Sequence, residues 1–365
     1  MASEVFDEPA NILMVNGAVD RYGFFEGEQF CETNTRKLSE SALNKIRRKE
    51  LKWQNMLTEW DKWMYYKTDR VRNQCRKGIA PAIRSRVWQY LCGSHRIMQM
   101  ERGKYQVLLK MSGDPKTISQ IKLDVDRQLP NHVLFATSHG NGKASLFNVL
   151  KAYSLLHPAT GYCQAQAPIA AALLIHMPEE DAFWTFVCLC NRYMTDYFKS
   201  DLVNNLNALK RRLGDYNKMV RVKIELNMLF ELVKKYQPDI YHHMVKCNTE
   251  PIYFAIDWFM CLYTRNLPWS TVLRIWDMFF FEGVKVLFRI ALSIFQLLLG
   301  DSNSRRRLNS MDKLMESLRN LPKNIVGEHV LINHSFRYTF ITKQELVKLY
   351  RTQLKSIELI SSSSS

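Results

Sequence analysis

Apolar residues recur along this chain at spacings of three and four rather than at alternate positions. That spacing turns one face of a helix inward. Leu146, Val149, Leu150 and Tyr153 form such a stripe on a helix expected over 144–156. Pro81 opens another, carrying Arg84, Val87, Trp88 and Leu91 and ended by Gly93. Pro178 and the three acidic residues after it open a third, through Phe186 and Leu189 to about 193. Helices are also predicted over 226–236, from Pro251 to Tyr263, over 271–281 and over 284–299, with a short one over 311–318 and a surface helix over 343–355. The stretch 103–116 reads as mixed with a turn at Ser112–Pro115, 131–143 as a loop, and 331–336 gives no clear pattern. No alternating series of strands appears, so the expected fold class is all-α.

The pattern divides the chain into five parts. An irregular arm covers 1–37, with an aromatic patch from Asp20 to Phe25 expected to dock on the body. A basic, aromatic helical segment covers 38–77. The main domain covers 78–300, further helices of the same domain 301–357, and a serine-rich flexible tail 358–365. Trp53, Trp60 and Trp63 are read as core contacts against the main domain, with a membrane-surface helix as the rival reading.

Composition narrows the class. Hydrophobic residues make up 47% and aromatics 12% of 365 residues, enough for a sizeable core. The net charge is +16, and half of it lies between Arg36 and Lys77, where thirteen Lys and Arg face five Asp and Glu. A second basic stretch runs over 197–224. Such fields suit an anionic membrane surface, nucleic acid or an acidic protein face. No helix-turn-helix, RNA-recognition or zinc-finger pattern accompanies them, so no specific nucleic acid is expected. The eight cysteines show no C-x-x-C pair. They suit a reduced, intracellular protein without a disulfide frame, and with the basic segments the expected location is cytoplasmic with peripheral recruitment to membranes. No apolar run reaches the ~20 residues that span a bilayer.

Candidate chemistry is sparse. The stretch Ser138-His-Gly-Asn-Gly-Lys143 lacks the spacing of a phosphate loop. Asp239, His243 and Cys247 make a single helical row without a second ligand pair, so no metal is expected. Asp257 and Asp277 sit among apolar neighbours and are read as structural carboxylates paired with Arg84 or Arg274. More promising is Ile121-x-x-Asp124-x-x-Arg127, three residues near one helical face. Ile121 can anchor that face and Asp124 can orient the guanidinium. Pro130 ends the helix just after Arg127. An arginine projecting there can reach a phosphate on a partner with its planar fork. The plain alternative is a solvated ion pair worth a few tenths of a kcal/mol. Gln164 lies just before the apolar run 167–177, where its amide can face outward.

Together these pieces resemble a known pairing. Ile121-Asp124-Arg127 followed by Tyr162-Cys-Gln164 is similar to the two finger motifs of the TBC-domain family, GTPase-activating proteins for Rab-type small GTPases. Arg84-x-x-x-Trp88, Trp258-Phe259, Leu267-Pro-Trp269, Arg274-Ile-Trp276-Asp277 and Phe280-Phe-Glu-Gly283 follow the family order over roughly 75–300. Tyr162 to Pro168, Asp257 to Cys261 and Glu50 to Trp63 most resemble the branch that contains Carabin and Whacked. The resemblance implies a two-lobed helical domain with both fingers on one concave face. It implies that Arg127 and Gln164 are catalytic, that Asp124 and Tyr162 position them, and that Arg84, Trp88, Trp276 and Asp277 are structural. The partner would be a Rab in its GTP state, holding the GTP and Mg²⁺, with no cofactor in this chain and no GTP hydrolysis of its own. Ala165 stands where the wider family commonly has glycine, and 197–224 looks longer than in the named branch. The rival reading is a catalytically silent Rab-binding scaffold.

Overall fold

The helix Trp269–Glu282 has almost no polar face: from Trp269 through Phe280 every residue except Arg274 is buried. A helix apolar on all sides must lie inside the body. The computed structural model describes residues 19–25, 39–136, 141–193 and 220–363, and other helices surround this one. The chain begins with α1 (Glu40–Thr58), α2 (Trp60–Tyr66) and α3 (Thr68–Arg76), then α4 (Arg84–Cys92), α5 (Ser94–Met100) and α6 (Lys104–Lys110). It continues with α7 (Pro115–Asp126), α8 (Val133–Ala136), α9 (Asn141–Leu156), α10 (Gln166–Leu174) and α11 (Glu179–Arg192). After the undescribed segment come α12 (Val220–Tyr236), α13 (Pro238–Lys246), α14 (Ile256–Met260), the central α15 (Trp269–Glu282) and α16 (Lys285–Leu299). The last are α17 (Ser302–Arg307), α18 (Met311–Arg319), α19 (Lys323–Val326), α20 (Glu328–Ser335) and α21 (Lys343–Ser363). No strand longer than an isolated bridge occurs among the described residues. The fold is all-α.

Helices α4 to α11 pack on one another around α9 and α11, and α12, α16, α20 and α21 form a second group. Helix α15 touches both, through α3 and α4 on one side and α16 and α20 on the other. Two buried carboxylates fasten these contacts. Asp277, in the middle of α15, accepts from the Ile79 N–H at 2.8 Å, Arg84 Nε at 3.1 Å and Trp88 Nε1 at 3.0 Å. Arg84 and Trp88 thus share one acceptor. Glu282, at the end of α15, accepts two bonds from Arg76 on α3 at 2.6 and 2.8 Å and one from Arg289 on α16 at 2.8 Å. Trp53 and Trp60 are buried against the body, as the core reading requires, whereas Trp63 is half-buried with Lys67 over its ring. The His176 ring is half-buried between Trp88 and Trp269, and loss of solvent holds its pKa down at about 3, so it stays neutral.

Several boundaries differ from the pattern-based expectation. Helix α7 begins at Pro115, because Asp114 caps it by accepting the Thr117 N–H at 2.8 Å and proline suits the first turn. The stretch read as mixed contains α6, which buries Tyr105 and Leu108. The expected loop 131–143 holds α8 and the first turn of α9. Gly142 lies in that first turn, and a Cβ there would lie 2.3 Å from the Leu134 carbonyl oxygen, so glycine is what lets α9 approach α8 so closely. The unclear stretch near 331 is α20. The tail expected from 358 is helical as far as Ser363, since nothing breaks α21 before it. The basic stretch 197–224 falls outside the described residues up to 219.

Burial alone would raise the Glu282 pKa, but the bonds from Arg76 and Arg289 outweigh it and bring it from 4.5 down to about 2. A carboxylate with a depressed folded pKa adds stability above its unfolded value and loses it as pH falls towards the folded one. Glu282 therefore contributes about 3 kcal/mol at neutral pH that disappears between about pH 4.5 and 2. Denaturant unfolding of Glu282→Gln should show a large loss at pH 7 and a much flatter acid dependence than wild type. An unchanged acid dependence would rule this role out.

Candidate functional site

Helix α7 delivers Arg127 to the surface. Ile121 and Val125 bury its inner face and end its freedom to roll, and Arg127 stands at the C-cap. Asp124, one turn earlier, is fully buried. It accepts from the Arg127 guanidinium, from the Tyr162 hydroxyl at 2.7 Å and from the Gln120 amide at 3.2 Å. The Gln128 amide bonds the Asp124 carbonyl at 3.0 Å, which holds the turn that follows. The Arg127 side chain remains 54% exposed, tethered at one end and open at the other.

The second piece is the loop from Gly161 to α10. Gly161 adopts φ +62°, a conformation glycine takes without cost, and its amide bonds the His157 carbonyl at 2.8 Å. The buried Gln166 amide reaches back to the Gly161 carbonyl at 3.4 Å and closes the loop on itself. Tyr162 is thereby aimed at Asp124, and Gln164 is left exposed. Burial and the neighbouring Asp124 carboxylate push the Tyr162 phenol far above its usual pKa, so it remains a donor.

Arg127 and Gln164 line one cleft of about 270 Å³, together with Phe24, Pro168, Arg265 and Trp269. The sequence-predicted pair is thus brought together, and Asp124 and Tyr162 lie directly behind it. Arg84, Trp88, Trp276 and Asp277 are not in the cleft. They act in the core, where Trp276 Nε1 donates to the Leu262 carbonyl at 3.1 Å. Leu262 and Tyr263 both have positive φ, 49° and 65°, which is costly for such side chains. They are buried and held by the Trp276 bond and by the Tyr263 hydroxyl on the Leu287 carbonyl at 3.0 Å. The next two residues, Thr264 and Arg265, are those that face the cleft.

One expectation is corrected. Asp257 is not a buried partner of Arg84 or Arg274; it is 44% exposed and pairs with Arg265 at 3.3 Å. Arg274 pairs instead with Glu328. Phe24 and Arg265 were missed as cleft residues. The aromatic patch around Phe24 hinted at docking but not at where, and nothing local distinguishes Arg265 from a surface arginine. A larger hollow of about 490 Å³, near Arg192, Glu282 and Tyr350, contains none of the expected site residues. His243 is within 2.9 Å of the Leu308 carbonyl oxygen, and no group of three metal-ligating side chains occurs among the described residues. No helix among them is long and apolar enough to cross a membrane.

The chain as a whole has parallels among known proteins. The Rab-GTPase-TBC domain family matches residues 81–299, and the chain belongs to that family. It is 38% identical over 337 residues to TBC1 domain family member 10A of Mus musculus, covering 92% of this chain and 63% of that one. It is 38% identical over 323 residues to TBC1 domain family member whacked of Drosophila melanogaster, covering 88% and 84%. The chain spans 40% of the length of TBC1 domain family member 10B of Mus musculus. Among solved structures, the Chlamydomonas flagellar RabGAP TBC domain superposes with a TM-score of 0.62 at 23% identity, covering 87% of this chain and 99% of that chain. That likeness establishes the two-lobed TBC fold.

Tyr162→Phe removes one of three donors from a fully buried carboxylate. It should cost about 1–3 kcal/mol of stability, read by chemical unfolding. An unchanged unfolding midpoint would mean that Asp124 does not depend on Tyr162.

Proposed function

We propose that this chain is a GTPase-activating protein for Rab-type small GTPases and that it works by supplying Arg127 and Gln164 in trans. The observation that carries the reading is the shared cleft: two side chains from separate segments, joined through Asp124 and Tyr162, both open to a partner. Membership of the Rab-GTPase-TBC domain family supports it.

The chemistry follows from what a small GTPase lacks. Negative charge shifts within the transferring phosphoryl group, and the attacking water is loosely held. A guanidinium placed on that charge from outside is worth about 10³–10⁵ in rate. Arg127 has the reach and the planar fork for this. Gln164, an uncharged amide with one donor group and one acceptor, orients the water. Neither residue has to gain or lose a proton. Asp124 spends its bonds on orientation, so that little flexibility must be frozen when the partner arrives. GTP and Mg²⁺ come with the Rab, whose GTP form is the substrate. The activity would act in vesicle trafficking, on Rabs at membrane surfaces. The basic helices α1 to α3, with Tyr65 and Tyr66 79% and 74% exposed near Lys62, Lys67 and Arg70, support a peripheral hold on anionic lipid.

A panel of purified Rabs loaded with GTP tests the proposal. Wild-type protein should accelerate hydrolysis by a subset of them. Arg127→Ala should lose at least about a hundredfold of that acceleration and Gln164→Ala at least about tenfold. Acceleration that survives Arg127→Ala, or none for any Rab, would sink the catalytic reading in favour of a binding scaffold.

A further inference from the structure

The segment 19–25 precedes the family-matched region by more than fifty residues, yet one of its side chains lines the cleft. The segment folds on itself, with Val19 bridged to Phe25 and the buried Asp20 carboxylate accepting the Tyr22 and Phe24 N–H groups at 2.8 and 3.0 Å. It then clamps residues 131–133. The Phe25 N–H donates to the Asn131 carbonyl at 3.1 Å, the Val133 N–H donates to the Gly23 carbonyl at 2.9 Å, and the His132 ring Nε2 donates to the Tyr22 carbonyl at 2.7 Å. His132 Nδ1 accepts from the Leu134 N–H at 3.1 Å, so both ring nitrogens are used. The Phe24 ring is fully buried, edge-on to His132 at 4.8 Å and 5.3 Å from Trp269.

What this clamp holds matters. Residues 131–133 end the short loop that begins at Arg127. Within that loop Leu129 has φ +42°, a left-handed conformation a leucine adopts only when its surroundings impose it. The His132 N–H on the Leu129 carbonyl at 3.0 Å links the strained residue directly to the clamped one. On its inner side the loop is tied to α7 through Gln128 and Asp124. The outer tie comes from the arm.

We propose that the arm is a working part of the finger site: residues 22–25 splint the loop that follows Arg127 and thereby set the pose of the guanidinium. The proposal rests on the GTPase-activating reading. Phe24 and the arm backbone act here as positioning groups and touch no substrate. A covering strap that blocks the cleft is the opposite reading. The Phe24 ring lies buried between His132 and Trp269, while Arg127 stays half exposed, which favours the splint.

Gly23 offers a sharp probe. Its φ is +91°, and a Cβ there would fall 2.7 Å from His132 Nε2. Gly23→Ala in the full chain should dislodge the clamp. Phe24→Leu serves as a second variant that leaves the backbone unstrained. With a responsive Rab·GTP as substrate, Gly23→Ala should lower kcat roughly tenfold or more while KM stays within about twofold, the thermal transition remaining cooperative. Phe24→Leu should act in the same direction and more weakly. In the Arg127→Ala background Gly23→Ala should change nothing further, because the splint acts through that arginine. An unchanged kcat in both variants overturns the proposal, and so does an equal loss in the Arg127→Ala background. A rise in activity identifies a strap, and a rise in KM alone identifies a docking surface; each also overturns it. If wild type accelerates no Rab, the proposal falls together with the reading beneath it, whereas a wild type that accelerates beside unaffected variants overturns the splint alone.

Discussion

Asp124 is fully buried and takes bonds from Arg127, Tyr162 and Gln120. A carboxylate so far from water is costly unless charge and hydrogen bonds compensate it, and here both kinds of partner come from elements that have to meet. Arg127 ends α7. Tyr162 begins the loop that carries Gln164. A single buried charge thus converts two independent segments into one surface, since neither can move away without exposing the carboxylate to an unsatisfied state. The half-exposed guanidinium is the side of this unit that remains available.

Two other carboxylates serve the frame in the same way. Asp277 ties the turn at Ile79 and helix α4 to the middle of α15, and Glu282 ties α3 and α16 to its end. The two helix groups therefore meet on a helix that is buried nearly all round and charged at only a few satisfied points. Leu262 and Tyr263 extend the logic to the cleft. Their positive φ angles persist because core bonds hold them, and the turn they make aims Thr264 and Arg265 at the same space as Arg127 and Gln164.

Much of this was legible in the sequence, for identifiable reasons. Helical spacing disclosed α4 and α9, which bury a stripe, and the long apolar runs of α11, α15 and α16 disclosed helices buried nearly all round. Asp124 and Arg127 were readable as a pair because three residues on a helix is a contact distance. The link to Tyr162 came with the family resemblance. The local pattern failed where a distant contact decides. Gly142 reads as a loop residue, yet it lies in a helix, where its missing Cβ leaves room for Leu134. Asp257 reads as buried, yet it stands at the surface with Arg265. The docking of Phe24 onto His132 joins residues over a hundred positions apart, and no local signal locates such a contact.

The account's central claim is that Arg127 and Gln164 bind the transition state of a Rab-bound GTP more tightly than its ground state. The most direct measurement is the affinity of the chain for a responsive Rab·GDP with and without aluminium fluoride, which mimics the transferring phosphoryl group. The account predicts tight binding that requires fluoride and is lost in Arg127→Ala. Affinity that is the same with and without fluoride, or that survives loss of Arg127, would contradict it.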